Sequence, residues 1–104
     1  MHFLLFMLAI TSTSALAAEW YEDGTLHKST AGEWHAATTK NRLATSSDFI
    51  SAMKLATSME QLQQRAVELM ACISAATNEK WLYSQKVAEI AALCINQLGY
   101  TSDN

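Results

Sequence analysis

A stripe of apolar residues at alternating three- and four-residue spacing is the clearest pattern in the chain. Its members are Met59, Leu62, Ala66, Leu69 and Ile73. This spacing places all five side chains on one face of an α-helix. Residues 57–60 combine hydroxyl side chains with a carboxylate, as helix starts commonly do. The pattern therefore predicts an amphipathic helix that begins near Ser58 and continues past Ile73.

Two weaker helices are predicted before it. Residues 30–33 fit a capping box, in which Thr30 accepts from a backbone amide and Glu33 reaches back to the cap. The first helix would then place one set of residues on a single face: Trp34, Ala37, Asn41 and Ala44. Residues 45–48 (TSSD) are a second start signal. They would begin a helix that carries Phe49, Ala52, Met53 and Ala56.

A last helix is predicted to start at residues 78–79 and to end at Gly99. One face of it would carry Tyr83, Val87, Ile90, Ala91, Cys94 and Leu98. Proline is absent and glycine occurs three times, while good helix formers fill the second half of the chain. No long strand-like alternation is present. We therefore predict an all-α fold: a small four-helix bundle (three to five helices) with one intrachain disulfide, preceded by a signal peptide.

The N-terminus has the features of a targeting segment. Residues 3–10 are apolar without interruption, which is too short for a membrane span, and residues 15–17 have the small-x-small pattern of a cleavage site. We predict a signal peptide over residues 1–17, cleaved after Ala17 or Ala18, and a single helical domain over residues 18–104. This makes the protein secreted or periplasmic; the alternative is a buried or membrane-anchoring N-terminal helix.

Cys72 and Cys94 are the only cysteines. In an exported domain of this size they are expected to form a disulfide, the alternative being two buried thiols. If the last helix began at residues 78–79, the two cysteines would be offset by roughly 15 Å along antiparallel helices, whereas a disulfide requires Cα atoms within about 7 Å. Either residues 77–84 form an irregular connection, or the last two helices cross steeply.

We favour the irregular connection. Ser84 would then cap the last helix, and Val87 would be its first core residue. Trp81 and Tyr83 would then belong to a stapled loop close to the surface, and not to a helix face, and would pack down under that loop.

Charge and motifs exclude several functions. The net charge is −3, both signs are scattered, and no basic run offers a nucleic-acid or anionic membrane surface. His27, Glu33 and His35 do not converge as metal ligands would on a helix. No nucleophile motif, phosphate-binding loop or Cys-x-x-Cys pattern occurs, so we predict no catalytic residues, metal or cofactor.

The remaining lead is aromatic. Trp20, Tyr21, Trp81 and Tyr83 form the candidate binding surface, since tryptophan and tyrosine are enriched at protein interfaces. We therefore expect a non-enzymatic protein-binding module: an inhibitor, an immunity protein or a chaperone. In general plan only, the chain resembles periplasmic acid-stress chaperones and the immunity proteins that neutralise cell-wall amidases. The partner and the oligomeric state stay open.

Two alternatives to a protein-binding module belong to other functional classes. One is a small-ligand carrier with an apolar pocket between helices, lined by Met53, Met59, Met70 and Trp34. The other is a small enzyme, which would need a cluster of perturbed acid and base groups in a cleft.

Overall fold

The computed structural model describes residues 18–101; the predicted signal peptide, residues 1–17, lies outside them. Four α-helices follow one another in this part of the chain: α1 (Ala31–Ala36), α2 (Thr39–Ala52), α3 (Met59–Ala76) and α4 (Val87–Leu98). A 3-10 turn, Lys80–Leu82, lies between α3 and α4. The helices α2 and α4 both pack on α3. The all-α prediction is confirmed, and none of the described helices is long and apolar enough to cross a bilayer.

Helix α1 begins where the capping box predicts but ends much earlier than expected. Thr30 accepts a hydrogen bond from the Glu33 amide, and the Glu33 carboxylate accepts one from the Thr30 amide. Ala37 is extended, and Thr38 immediately caps α2 by accepting from the Asn41 amide. A helix continuing to Ala44 was therefore wrong, because a second cap interrupts it after six residues.

Residues 45–48 do not start a helix, as predicted, but lie inside α2. Thr45, Ser46 and Ser47 are buried. The Ser46 hydroxyl donates to the Arg42 carbonyl at 2.8 Å, and the Thr45 hydroxyl accepts from the Leu26 amide at 3.2 Å. Thr45 thus holds residues 19–29, here called the entry segment, against α2, and this tertiary contact overrides the local start signal.

The entry segment lies close to the backbone of α2 at Gly24. A Cβ atom built there would lie 2.6 Å from the Thr45 backbone nitrogen and 2.8 Å from its Cα. Gly24→Ala should therefore destabilise the protein by roughly 1–3 kcal/mol, since backbone atoms in a helix cannot move aside. Urea denaturation measures this loss.

Gly32→Ala provides a graded control for Gly24→Ala. A Cβ atom at Gly32 would meet only the Tyr83 side chain, at 3.3 Å, which can shift by a few tenths of an ångström. The expected loss of stability is smaller. Equal stability of Gly24→Ala and the wild type would show that the entry segment does not lie this close to α2.

Helix α2 ends at Ala52, before the predicted Ala56. Lys54 has a left-handed backbone (φ 57°), and its amide donates to the Ser51 carbonyl. The Leu55 amide donates back to the Ile50 carbonyl at 2.9 Å, and both of these side chains are buried. This is a Schellman ending, in which the hydrophobic contact outweighs the strain of a non-glycine residue at the left-handed position.

The prediction of α3 is confirmed, with Ser58 as its cap. Its N-terminal half also anchors the chain after α4. The Tyr100 hydroxyl donates to Glu68, and the Arg65 guanidinium lies 4.7 Å from the centre of the Tyr100 ring. Burial, together with the bond to Glu68, raises the pKa of Tyr100, so its hydroxyl stays protonated and keeps donating. Arg65 also donates to the Leu55 carbonyl at 2.6 Å, which ties the α2–α3 turn to the same place.

The core is formed by side chains from all four helices and from the segments between them. Its buried members are Leu26, Trp34, Ile50, Leu55, Leu69, Ile73, Val87, Ala91, Cys94 and Ile95. Trp34 is the largest fully buried side chain among residues 18–101. The short helix α1 therefore belongs to the fold mainly because it carries this indole.

Candidate functional site

Cys72 and Cys94 form the predicted disulfide. Their Cα atoms are 6.0 Å apart, within the range that a disulfide allows. Cys94 is buried and Cys72 is half-buried. The bond joins α3 to α4 and closes the chain segment between them, so the connection at residues 77–86, here called the aromatic loop, belongs to a covalent ring.

The aromatic loop is irregular, as the disulfide geometry predicts. Its only regular feature is the 3-10 turn Lys80–Leu82. Val87 is the first residue of α4 and is fully buried, which confirms that part of the prediction. Ser84 as the helix cap was wrong: Lys86 occupies that position and makes no side-chain capping bond. Backbone pairing, and not a side chain, fixes where α4 starts.

That pairing holds the loop against the start of α1. The amides of Ala31 and Gly32 donate to the carbonyls of Gln85 (2.8 Å) and Tyr83 (3.0 Å). In return the Val87 amide donates to the Ser29 carbonyl at 2.9 Å. The first amides of a helix have no partner inside it. Here the loop carbonyls satisfy those of α1, so the loop is fixed through groups that would otherwise need water.

A side-chain contact adds to this anchoring. The rings of His35 and Tyr83 are stacked, with centroids 5.3 Å apart and planes 17° from parallel. His35 Nε2 lies 2.9 Å from the Thr77 hydroxyl, which itself donates to the Ile73 carbonyl at 2.7 Å. Because a hydroxyl has one proton to give, His35 Nε2 must carry the hydrogen and donate to Thr77.

Sequence reasoning missed His35, which it treated as a histidine without a role. The residue links α1 to the first residue of the aromatic loop and to Tyr83 within it, yet it lies 42 residues from Thr77 and 48 from Tyr83. No local pattern reports such a contact. The nearest signal was Gly32, whose missing Cβ leaves room for the Tyr83 ring.

The loop presents one large apolar side chain to solvent. Trp81 is 76% exposed, the most of the large hydrophobic residues in the described chain. The expectation that it packs against the loop was wrong, whereas Tyr83 does pack as expected. Lys80, at one side of Trp81, is exposed, and Leu82, at the other, is half-buried. Trp81 therefore protrudes from a loop whose other parts are fixed.

The four residues of the predicted binding surface fall into two groups. Trp20 and Tyr21 contact each other edge to face, with ring centroids 5.4 Å apart, and both are half-buried in the entry segment. Among residues 18–101 no ring contact links this pair to Trp81 or Tyr83. Only Trp81 combines strong exposure with a fixed backbone.

Neither His27 nor its neighbours in the described chain form a metal-binding cluster. His27 Nε2 lies 2.7 Å from a carboxylate oxygen of Asp48, and the His27 ring also meets Phe49 edge to face. Within residues 18–101 no group of three or more histidine, cysteine or acidic side chains is placed to hold a metal ion.

The residues expected to line a ligand pocket differ in their surroundings. Met53 and Met59 are half-exposed, at 52% and 53%, on either side of the α2–α3 turn. Met70 packs against the core from its edge. Trp34 is fully buried, and its indole N–H donates to the Ser74 hydroxyl at 3.0 Å. Trp34 thus fills the core, with its polar atom satisfied.

Comparisons with known proteins add no family to this description: no family model matches the chain, and no curated protein or solved structure is significantly similar to it.

Proposed function

We propose that this protein is a non-enzymatic, exported protein-binding module that docks through its aromatic loop, with Trp81 as the anchor. The observation that supports this most is the pairing of a 76% exposed tryptophan with a loop fixed on both sides. Burying an exposed indole against a partner would be favourable, because it removes apolar surface from water. Tryptophan is also among the residues that most often dominate binding at protein interfaces.

Rigidity is what makes the exposed indole suitable as an anchor. Association has to overcome the entropy lost when loops and side chains become ordered. Here the Cys72–Cys94 bond, the backbone pairing and the His35–Tyr83 stack already order the loop. A partner therefore loses little of its binding free energy in fixing it, and most of the gain from covering Trp81 remains.

The disulfide supports an oxidising location for this binding. Such bonds persist in secreted and periplasmic proteins and are rare in the cytosol. In that setting a small module with a rigid, protruding side chain suits an inhibitor, an immunity protein or a chaperone. All three roles need a specific surface, and none needs catalytic groups.

The test is affinity capture followed by measurement on the identified complex. The immobilised wild-type protein is incubated with the exported fraction of its source cells, and captured proteins are identified by mass spectrometry. Calorimetry with the purified partner should then show that Trp81→Ala weakens binding by about tenfold or more, as truncation of an interface anchor does.

Leu93→Ala is the matched control, because Leu93 is also strongly exposed (65%) but lies on α4 and outside the loop. It should bind like the wild type. A partner that binds Trp81→Ala and the wild type equally would overturn the proposed anchor.

A further inference from the structure

The outer face of α3 carries an open depression of about 480 Å³. It is lined by Glu60, Gln63, Gln64, Val67 and Glu68. Residues at these spacings share one side of a helix. Val67 is 44% exposed, so the depression offers an apolar contact flanked by two carboxylates and two amides.

The aromatic loop has the complementary chemistry. Trp81 supplies an exposed apolar ring, and Lys80 and Lys86 are both exposed. Glu79 is the only carboxylate in the loop, so residues 77–86 are net positive in a chain of net charge −3. If the Trp81 indole packed on Val67, two apolar surfaces would meet. The loop lysines would then lie near the carboxylates of the depression, so that opposite charges would also meet.

We propose that this protein forms a two-fold dimer in which Trp81 of each copy packs into the α3 depression of the other copy. Such an interface is isologous: the same two surfaces meet twice and the assembly closes at two copies. The proposal does not rest on a foreign partner. It does mean that dimerisation covers Trp81 and therefore competes with any partner that uses it.

The spacing along α3 is compatible with this reciprocal contact. At 1.5 Å per residue, Val67 lies about 15 Å from Thr77, where the aromatic loop begins. Ala71 and Ala75 lie between them on the side of the helix that carries Val67, and both are exposed. Two antiparallel copies of α3 that place Ala71 opposite Ala75 bring Val67 of one copy level with Glu79 of the other. The short alanine side chains leave room for the helices to approach.

The interface is expected to be small and the dimer correspondingly weak. An aromatic side chain buries roughly 150–250 Å² at most, and two such contacts with a short helix crossing fall at the low end of specific interfaces. We therefore expect a reversible equilibrium with a Kd between about 10 µM and about 1 mM. Added salt should weaken it, since the charged groups lie at an exposed rim.

The proposal is tested by analytical ultracentrifugation of the protein purified in the form that its source cells produce. The protein concentration should span the expected Kd, from about 10 µM to about 1 mM. The wild type should show a monomer–dimer equilibrium, and Trp81→Ala and Val67→Glu should each raise the Kd by about tenfold or more. Both side chains are exposed, so each variant should keep the helical far-ultraviolet circular dichroism and the melting temperature of the wild type. Leu93→Ala should dimerise like the wild type.

A mixing experiment identifies which surfaces meet. Each of the two variants alone has lost both reciprocal contacts, but a heterodimer of Trp81→Ala with Val67→Glu keeps one intact tryptophan opposite one intact depression. The mixture should therefore associate more strongly than either variant alone. A monomeric wild type, a dimer insensitive to Trp81→Ala, or a mixture no stronger than its components would each overturn the proposal. The first outcome leaves the foreign-partner function standing.

Discussion

Replacing both Cys72 and Cys94 by alanine should lower the free energy of unfolding by about 3 kcal/mol. The bond links residues 22 positions apart, and its loss frees that segment in the unfolded chain. A small domain has roughly 5–15 kcal/mol of stability in total. The loss should therefore lower the melting temperature by roughly 12–24 °C. Urea denaturation and thermal melting measure both quantities.

The wild type treated with a reductant is the control for this double variant. The reduced wild type keeps both cysteine side chains and lacks only the covalent bond. Its loss of stability should therefore be close to that of the double alanine variant. Unchanged stability in both samples would show that the ring closed by Cys72 and Cys94 contributes little.

The same variant separates the stability of the fold from the geometry of the loop. Below its lower melting temperature, the aromatic loop should remain docked, because the Ala31–Gln85 and Gly32–Tyr83 backbone bonds and the stack of Tyr83 on His35 do not depend on the disulfide. We expect the folded variant to keep the tryptophan and tyrosine bands of the wild-type near-ultraviolet circular dichroism, apart from the contribution of the disulfide itself. A lost near-ultraviolet signal in a sample that keeps its helical content would mean that the disulfide itself positions the loop.

Helix α3 could be predicted from the sequence because its signal is local. Its apolar stripe repeats with the helical period, and Ser58 caps it by accepting from the Gln61 amide, three residues on. The boundary between α1 and α2 could not be predicted in this way. The run of hydroxyl and acidic residues at 45–48 predicts a helix start there, whereas the residue that caps α2 is Thr38. The signal at Thr45 loses because its hydroxyl is used in packing the Leu26 segment onto α2.

In the candidate site, too, one part could be predicted from the sequence and another part could not. The irregular connection followed from a distance argument, since a disulfide between Cys72 and Cys94 cannot be reconciled with a last helix starting at residues 78–79. Where the loop docks did not follow, because its anchors on α1 join residues about fifty positions apart. Trp81 could be assigned to the candidate binding surface from its residue type, but the difference between an exposed Trp81 and a packed Tyr83 depends on this docking.

Trp34→Ala should be the most destabilising single substitution of a core side chain, with a loss of about 3–5 kcal/mol. Trp34 is fully buried and is the largest such side chain in the described chain. Its removal leaves a cavity that the surrounding core can only partly fill, and it leaves the Ser74 hydroxyl without its donor. Urea denaturation followed by circular dichroism measures the loss, since tryptophan fluorescence itself changes.

Trp81→Ala is the matched control, because it makes the same chemical change at a 76% exposed site. Its effect on stability should stay within about 0.5 kcal/mol. Similar losses for the two substitutions would contradict the placement of Trp34 in the core and Trp81 in solvent.

A further pair of substitutions separates the packing of Trp34 from its hydrogen bond. Trp34→Phe keeps much of the apolar contact but removes the N–H, and Ser74→Ala removes the acceptor. Each should cost less than Trp34→Ala. Because the two groups are partners, combining the substitutions should cost less than the sum of the single losses, by about 0.5–1.5 kcal/mol. Strict additivity would mean that the indole N–H and the Ser74 hydroxyl contribute no interaction with each other.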